Sequence, residues 1–382
     1  MNKPKVFMCW TLNSGVTFYR MMNFAKNMSK EISIGCSKFR PDFQGVADWE
    51  YKILPGGKTD PLVAHDLELL IGQADLIIAQ KFHSIGGLCV MDYCREKFPK
   101  KPFYSEFDDH VFSLNPSSPA YEEYKPGSDA EKICYDQMKM SNGLIVSTEY
   151  LRDELEIVNP NVWVIPNAID FDIWDKLKEP KKKKGDKVRI GWAGGGSHID
   201  DLEYIEQVVN LMLDKFTNIE FVFLGGVIPS LRNKKRVSGL YKWYPINEYP
   251  QMIKDLQIDI AIAPLRDNLF NRAKSNLRWL EYSALKLPTV ASDVEPYRKC
   301  IEHGKTGFLA VEPEQWVDYL SELICDESFR KKIGKQAYDE VKSKFNVKQT
   351  AIFYANCMRK MINEETSITP RAKVAMMSGN ML

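Results

Sequence analysis

The chain has 382 residues, enough for two or three domains at about 150 residues each and long enough to bury more than one core. Apolar residues make up 44% and charged residues 27%, which excludes a wholly disordered chain. The 52 basic and 51 acidic side chains leave a net charge of +1, which excludes a histone-like polycation but not a local basic patch.

No run approaches the roughly 18 apolar residues of a membrane span. The opening MNKPKVFMCW reads as a first strand and not as a signal peptide. Cys9, Cys36, Cys89, Cys94, Cys134, Cys300, Cys325 and Cys357 are scattered without a CxxC pair. That argues against zinc ribbons and redox dithiols and for reduced thiols in a cytoplasmic protein.

In chain order, the first half alternates short apolar runs with amphipathic stretches. Strands are predicted at Val6–Trp10, Ile32–Cys36, Leu76–Ala79, Pro102–Glu106, Gly143–Ser147 and Val162–Ile165. Helices are predicted between them at Phe18–Met28, Leu62–Ile71, Leu88–Lys97, Asp129–Met140 and Thr148–Ile157. This alternation predicts βαβ units on a parallel sheet, and the continuous apolar strands fit a sheet covered on both faces. Glu179–Lys187, with four consecutive lysines, a proline and a glycine, reads as a solvated linker, with a phosphate-binding patch as the alternative.

The alternation then restarts. Strands are predicted at Val188–Trp192, Glu220–Leu224, Ile258–Ala263 and Thr289–Ser292, and helices at Tyr204–Lys215, Tyr249–Leu256, Asn276–Leu287, Pro313–Leu323 and Phe329–Phe345. The expected architecture is α/β, with two doubly wound αβα domains that bind ligands at the carboxyl ends of their strands, in the cleft between the halves. The first domain is placed at residues 1–170, a linker at 171–187 and the second domain at 188–345. A C-terminal helix at 346–363 packs back toward the first domain, and 364–382 form a flexible tail. Residues 1–165 hold 18 basic against 22 acidic side chains and the rest 34 against 29, so the second half suits an anionic ligand.

Two runs carry chemistry. In VRIGWAGGGSHIDDLEYIEQVV a strand runs into Gly194, Gly195 and Gly196, and Ser197-His198-Ile199-Asp200 reads as a capping box opening a helix. Three glycines let backbone amides approach an anion, so this is a candidate diphosphate cradle, with His198 as a ligand contact or a local cap. It is neither GxGxxG nor GxxxxGK[ST], which disfavours a dehydrogenase or a P-loop ATPase. In IAIAPLRDNLFNRAKSNLRWLEYSALKLPTVASD, a strand and a polar loop precede a helix on which Lys274, Arg278 and Glu281 follow at i, i+4, i+7. A cation with amides at Ser275 and Asn276 suits a phosphate, and the carboxylate suits a sugar diol; the alternative is a salt-bridged surface stripe.

These motifs resemble the donor domain of GT-B glycosyltransferases, in particular family 4-like enzymes. AKSNLRWLEYSALKLPTVASD is similar to their donor signature, IGWAGGGSHIDDL to their phosphate loop, HGKTGFLA to the segment after the next helix, and VWVIPNAIDFDIW to their interdomain connector. In the first half, LNSGVTFYR resembles the glycine loop that faces the donor diphosphate, and SEFDDHVF a strand-end acidic motif. The resemblance spans about residues 3 to 362 and implies two Rossmann-like domains. It departs at one point: many members carry two glutamates with seven residues between them, and Ala273 stands at the first position, with Glu281 at the second. Lys274-Ser275 resembles a variant branch in which the lysine serves the donor phosphates.

The resemblance implies transfer of a sugar from a nucleoside diphosphate sugar to an acceptor hydroxyl, with retention. No tightly bound cofactor and no metal are expected. Lys274 is placed on the leaving phosphate, with Gly15, Gly194 to His198, Ser275 and Asn276 around the diphosphate, Glu281 and Arg278 at the ribose or sugar, and Trp243 and Tyr244 at the nucleobase. On the first half, His83 and Asp109 are candidate catalytic groups, and Glu106, Asp108 and Arg20 candidate acceptor contacts; each also has a purely structural reading. A cell-surface polysaccharide or lipid-linked glycan is the expected acceptor, with peripheral membrane contact. The alternatives are hydroxymethylated DNA, held through Lys181–Lys184 and Arg232–Arg236, a nucleotide-sugar epimerase of the same fold, and a non-catalytic binding module.

Overall fold

The structure, a computed structural model, describes residues 3–10, 14–28, 30–41, 47–53, 59–60, 71–82, 84–180, 185–195, 198–240 and 248–364, with only the backbone described between 35 and 60. It divides into two compact units. Unit 1 comprises Met1–Leu114, Glu122–Asn167 and Val347–Leu382, and unit 2 comprises Asn115–Tyr121 and Ala168–Asn346.

Unit 1 is built on an eight-stranded sheet. Its strands are β1 (Lys5–Trp10), β2 (Ser33–Pro41), β3 (Ala47–Ile53), β4 (Thr59–Asp60), β5 (Leu76–Gln80), β6 (Phe103–Phe107), β7 (Gly143–Val146) and β8 (Val162–Val164), in the order β4-β3-β2-β1-β5-β6-β7-β8. The six strands from β2 to β8 in that order run parallel, and Val6 pairs with both Ile34 and Leu76. β3 and β4 add an antiparallel edge that the apolar pattern does not signal. β5 and β6 are buried along their whole length, as parallel strands between helix layers must be.

Two helices of unit 1 begin where the sequence supplies a side-chain acceptor for an orphan amide. Ser128 Oγ accepts from Glu131 N at the start of Asp129–Met140, and Thr148 Oγ1 from Leu151 N at the start of Glu149–Leu155. Of the predicted helix Leu62–Ile71, only the last residue lies among the described residues. The final helix, Val347–Asn363, returns to unit 1: Tyr354 meets the edge of Phe24 and Arg359 Nη2 donates to Glu31 Oε2 at 2.9 Å. Of the tail, Glu364 is described; its Oε2 accepts from Tyr104 Oη at 2.8 Å.

Unit 2 holds a six-stranded, all-parallel sheet: β9 (Val188–Ala193), β10 (Ile219–Leu224), β11 (Val237–Leu240), β12 (Ile260–Ala263), β13 (Thr289–Ser292) and β14 (Phe308–Ala310), in the order β11-β10-β9-β12-β13-β14. Its core joins Ile190, Trp192, Phe221, Ile260 and Val290 to Trp316 and Leu320 of the helix Pro313–Cys325. β11 and β14 escape a search for apolar runs, because β11 alternates half-buried and exposed residues and β14 is three residues long. The predicted helix Tyr204–Lys215 begins earlier and is split into Ile199–Glu203 and Glu206–Lys215. Among the described residues no helix is long and apolar enough to cross a membrane.

Candidate functional site

The strand order of unit 2 reverses between β9 and β12. Loops leaving the carboxyl ends of those two strands flank the crevice where doubly wound sheets take their ligands. The first loop opens with Gly194 and Gly195. A Cβ on Gly194 would lie 2.5 Å from both Arg278 Nη1 and Trp192 Cζ2, so only glycine lets the chain pass. Gly225, after β10, has φ +92°, and a Cβ there would sit 1.9 Å from Gly194 O.

The helix Leu277–Ala284 holds this loop from beneath. Arg278 Nη1 donates to Ala193 O at 2.7 Å, and its guanidinium lies 4.8 Å over the Trp192 ring. One turn on, Tyr282 Oη accepts from Ala193 N at 2.8 Å. Arg278, expected at the ribose or sugar, is thus engaged with the end of β9 and the indole beneath the glycines. Glu281 is 5% exposed, and its charge is felt by Arg278, Tyr249 and Tyr282.

Lys274 does not stand on that helix. It lies in the turn between Leu269–Arg272 and Leu277–Ala284, so the expected single stripe of Lys274, Arg278 and Glu281 does not form. Its Nζ sits 4.4 Å from the centre of the Phe270 ring, and among the described residues it makes no ion pair. Ser275 and Asn276 are half-buried beside it, with Asn276 at the helix start.

His198 closes the described part of the glycine loop. Its Nδ1 is 2.9 Å from Asp201 Oδ2. The other oxygen of Asp201 accepts from Arg266 N at 2.9 Å and Asn271 Nδ2 at 2.7 Å, so this buried carboxylate ties the loop after β9 to the loop after β12. Burial alone would raise the Asp201 carboxyl, but the hydrogen bond from His198 and the Arg266 amide hold it below its ordinary range. Burial, then Lys274 and Arg278, push His198 down to about 3 against the pull of Asp201.

Of the expected capping box, Ser197 lies outside the described residues and Asp200 is described. Its carboxylate pairs with Arg266 Nε at 3.0 Å and accepts from Asn115 Nδ2 at 3.1 Å. A five-residue helix also supplies little macrodipole, so the positive charge of the site rests on side chains. Asp201, Asn271 and Arg266 were not singled out in the sequence; the one signal was the Asp200-Asp201 doublet, two and three residues after His198. Gly196, Ser197, Trp243, Tyr244 and His83 lie outside the described residues.

Unit 1 has its own reversal between β1 and β5. Gly15 starts the first turn after β1, capped by Ser14 Oγ on Thr17 N, and Thr17 Oγ1 donates to Gln80 Oε1 at 2.9 Å. Arg20 and Glu106 were expected as acceptor contacts. They are 2% and 0% exposed and pair at 2.6 Å, and Arg20 Nη1 also donates to Ile165 O and Asn167 Oδ1. They form the polar centre of the unit, because β6 points Glu106 inward and the helical turn Phe18–Met22 places Arg20 against it.

Asp108 and Asp109, just past β6, are half-buried. Asp108 Oδ1 is buried without a hydrogen-bond partner. Burial, then the Asp109 charge, push its carboxyl up to about 7 against the pull of Lys81. Lys81, just past β5, is itself raised by Asp108 and Asp109 despite burial, and its Nζ lies 5.4 Å from the centre of the Tyr124 ring. A carboxyl near 7 that borders a cation is suited to orient a hydroxyl or share its proton.

The profile of the family described as Glycosyl transferases group 1 matches residues 257–340, the segment that holds β12 to β14, Lys274 and Glu281. Among solved structures, sucrose-phosphate synthase from Thermosynechococcus elongatus is similar, with 12% identity and a TM-score of 0.63 over 94% of this chain and 99% of that one. HepE from Anabaena, in complex with UDP-glucose, gives 13% and 0.62 over 93% and 99%. TarM from S. aureus, in complex with fondaparinux, alpha-GlcNAc-glycerol and UDP, gives 17% and 0.53 over 83% of this chain, which spans 62% of TarM. At such identities the likeness establishes the fold. No curated protein sequence matches the chain. The fold is GT-B, and its second unit carries a glycosyl transferases group 1 segment.

Proposed function

We propose that the chain is a nucleotide-sugar-dependent glycosyltransferase that moves a sugar from a UDP-sugar to a hydroxyl of a polysaccharide or lipid-linked glycan, with retention. One observation carries the reading. The switch point of unit 2 sets Gly194 against Arg278 and brings Lys274 close enough to His198 for its charge to act on the imidazole, and the later strands of that sheet match a glycosyltransferase profile. The UDP complexes of HepE and TarM support uridine as the base.

As the bond from the anomeric carbon to the phosphate oxygen breaks, negative charge collects on the leaving diphosphate. Lys274 stabilises that charge, and such preorganised electrostatics is usually the largest catalytic contribution. The acceptor oxygen attacks from the same face and gives its proton to the departing phosphate oxygen. Asp108, Asp109 and Lys81 are the acceptor-side groups of unit 1. Glu281 is assigned to the ribose.

The test is a thermal-shift series with UDP, UDP-glucose and UDP-N-acetylglucosamine, followed by NMR of the product anomer with glycan acceptors. A ligand at one hundred times its Kd adds about 2.7 kcal/mol to stability. Stabilisation by UDP and its sugars is expected, and its absence would remove the reading. An epimerised nucleotide sugar formed without acceptor would convert the assignment to an epimerase.

A further inference from the structure

The cradle leaves one ring nitrogen whose chemistry is fixed by its surroundings. Asp201 is 4% exposed and takes donors on both oxygens: Arg266 N and Asn271 Nδ2 on Oδ1, and His198 Nδ1 on Oδ2. An ionised carboxylate only accepts, so Nδ1 of His198 must carry the hydrogen. Among the described residues, the groups that face the imidazole are Lys274 from the turn, Arg278 from the helix beyond it, the edge of Trp192 from β9 at 6.2 Å and Asp201 itself. Two cations against one carboxylate disfavour a second proton, in line with the lowered pKa. Nε2 therefore presents a lone pair, and a diphosphate oxygen, itself an acceptor, is the wrong partner for it.

We propose that His198 is a specificity residue for the donor, whose Nε2 accepts a hydrogen bond from a hydroxyl of the nucleotide sugar while Lys274 carries the diphosphate charge. Asp201 is the positioning residue that fixes the tautomer. The inference rests on the cradle being a nucleotide-sugar site, and it replaces the expectation that His198 touches the diphosphate. The hydroxyl belongs to the transferred sugar or to the ribose, two sources with one chemistry.

The test uses the full chain, UDP-glucose and UDP. It has five histidines, few enough for ring-nitrogen NMR at pH 7.5, with His198 assigned from the signal lost in His198→Gln. The expected spectrum is a neutral ring protonated on Nδ1, both alone and saturated with UDP-glucose. His198→Asn keeps an amide toward Asp201 but leaves nothing at the position of Nε2, and should weaken UDP-glucose about three- to tenfold. His198→Gln carries an oxygen to that position and should restore most of the loss. If UDP binding is unaffected by His198→Asn the hydroxyl is on the sugar; if both ligands weaken equally it is on the ribose. An imidazolium signal in the complex would overturn the proposal, as would His198→Asn leaving both ligands unchanged. If neither ligand binds the wild-type chain, no complex forms, and the donor-site reading falls together with this one.

Discussion

Replacing Arg20 with methionine separates a core role for Glu106 from a chemical one. Methionine keeps much of the apolar stem and removes the guanidinium. Arg20 supplies Nε to Glu106 Oε1 at 2.6 Å and Nη1 to Ile165 O at 2.6 Å and Asn167 Oδ1 at 3.1 Å, with both ionic side chains out of solvent. Without it, Glu106 keeps a buried charge met, among the described residues, by the long bond from Gln80 Nε2 at 3.4 Å and the more distant charge of Lys81. Breaking a buried pair from one side costs about 3–5 kcal/mol, because the remaining charge stays desolvated. Against a typical domain stability of about 5–15 kcal/mol that loss is large.

Arg20→Met combined with Glu106→Gln removes the stranded charge and should recover most of the loss, since replacing both partners of a buried pair is often close to neutral. The assay is urea unfolding followed by tryptophan fluorescence, with UDP affinity measured in parallel. UDP affinity should be unchanged, because the bonds of these side chains are made within unit 1. A loss under about 1 kcal/mol in Arg20→Met would refute the argument. So would Glu106→Gln if it abolished turnover at unchanged stability, since Glu106 would then be acting on substrate.

Three other perturbations bear on the sites. Lys274→Ala should lower turnover by about a hundredfold or more while the unfolding midpoint barely moves, because the ammonium's one described contact is the Phe270 ring; steady-state rates and a melt on one sample check both. Asp108, raised to about 7, favours the folded state at low pH, so its contribution is full below the unfolded carboxyl value and lost as pH rises through 7. Urea titrations from pH 5 to 8 should show stability falling with pH by at most about 1.4 kcal/mol per unit from this group, a slope that Asp108→Asn should flatten. Gly225→Ala would force a Cβ to 1.9 Å from Gly194 O at φ +92°; the expected result is a loss of about 1–3 kcal/mol together with weaker UDP binding, read in a thermal-shift titration.

Most of the fold was legible in the sequence because its buried parallel strands are short apolar runs between amphipathic helices. Asp129–Met140 and Thr289–Ser292 match their predicted bounds. What escaped was set by tertiary pairing. β3 and β4 form an antiparallel edge, β11 alternates, and β14 is too short to register as a run. At the site, spacing singled out Gly194, His198 and Lys274 but not the arrangement of the side chains around them. Helical periodicity was carried through Lys274, although the helix begins three residues later, at Leu277. A carboxylate after a strand reads alike whether it faces solvent or core, so Glu106 and Asp108 seemed equivalent until the fold paired Glu106 with Arg20 and left one Asp108 oxygen without a partner.

The division of labour between the two cations of the cradle follows from the same geometry. Arg278 is planar and rich in donors, and it is spent on Ala193 O and the Trp192 face, where a rigid fork fixes the strand end beneath the glycines. Lys274 is a compact charge on a flexible stem, in a turn and without an ion pair among the described residues. Catalysis gains only from interactions that are stronger in the transition state than in the bound substrate. A second guanidinium clamped on the diphosphate would tighten donor and transition state alike, whereas a single ammonium can follow charge as it moves onto the leaving oxygen. Lys274→Arg tests this step: it should hold UDP at least as tightly as the wild type while lowering kcat, and an unchanged kcat would show that the shape of the cation at this position does not matter.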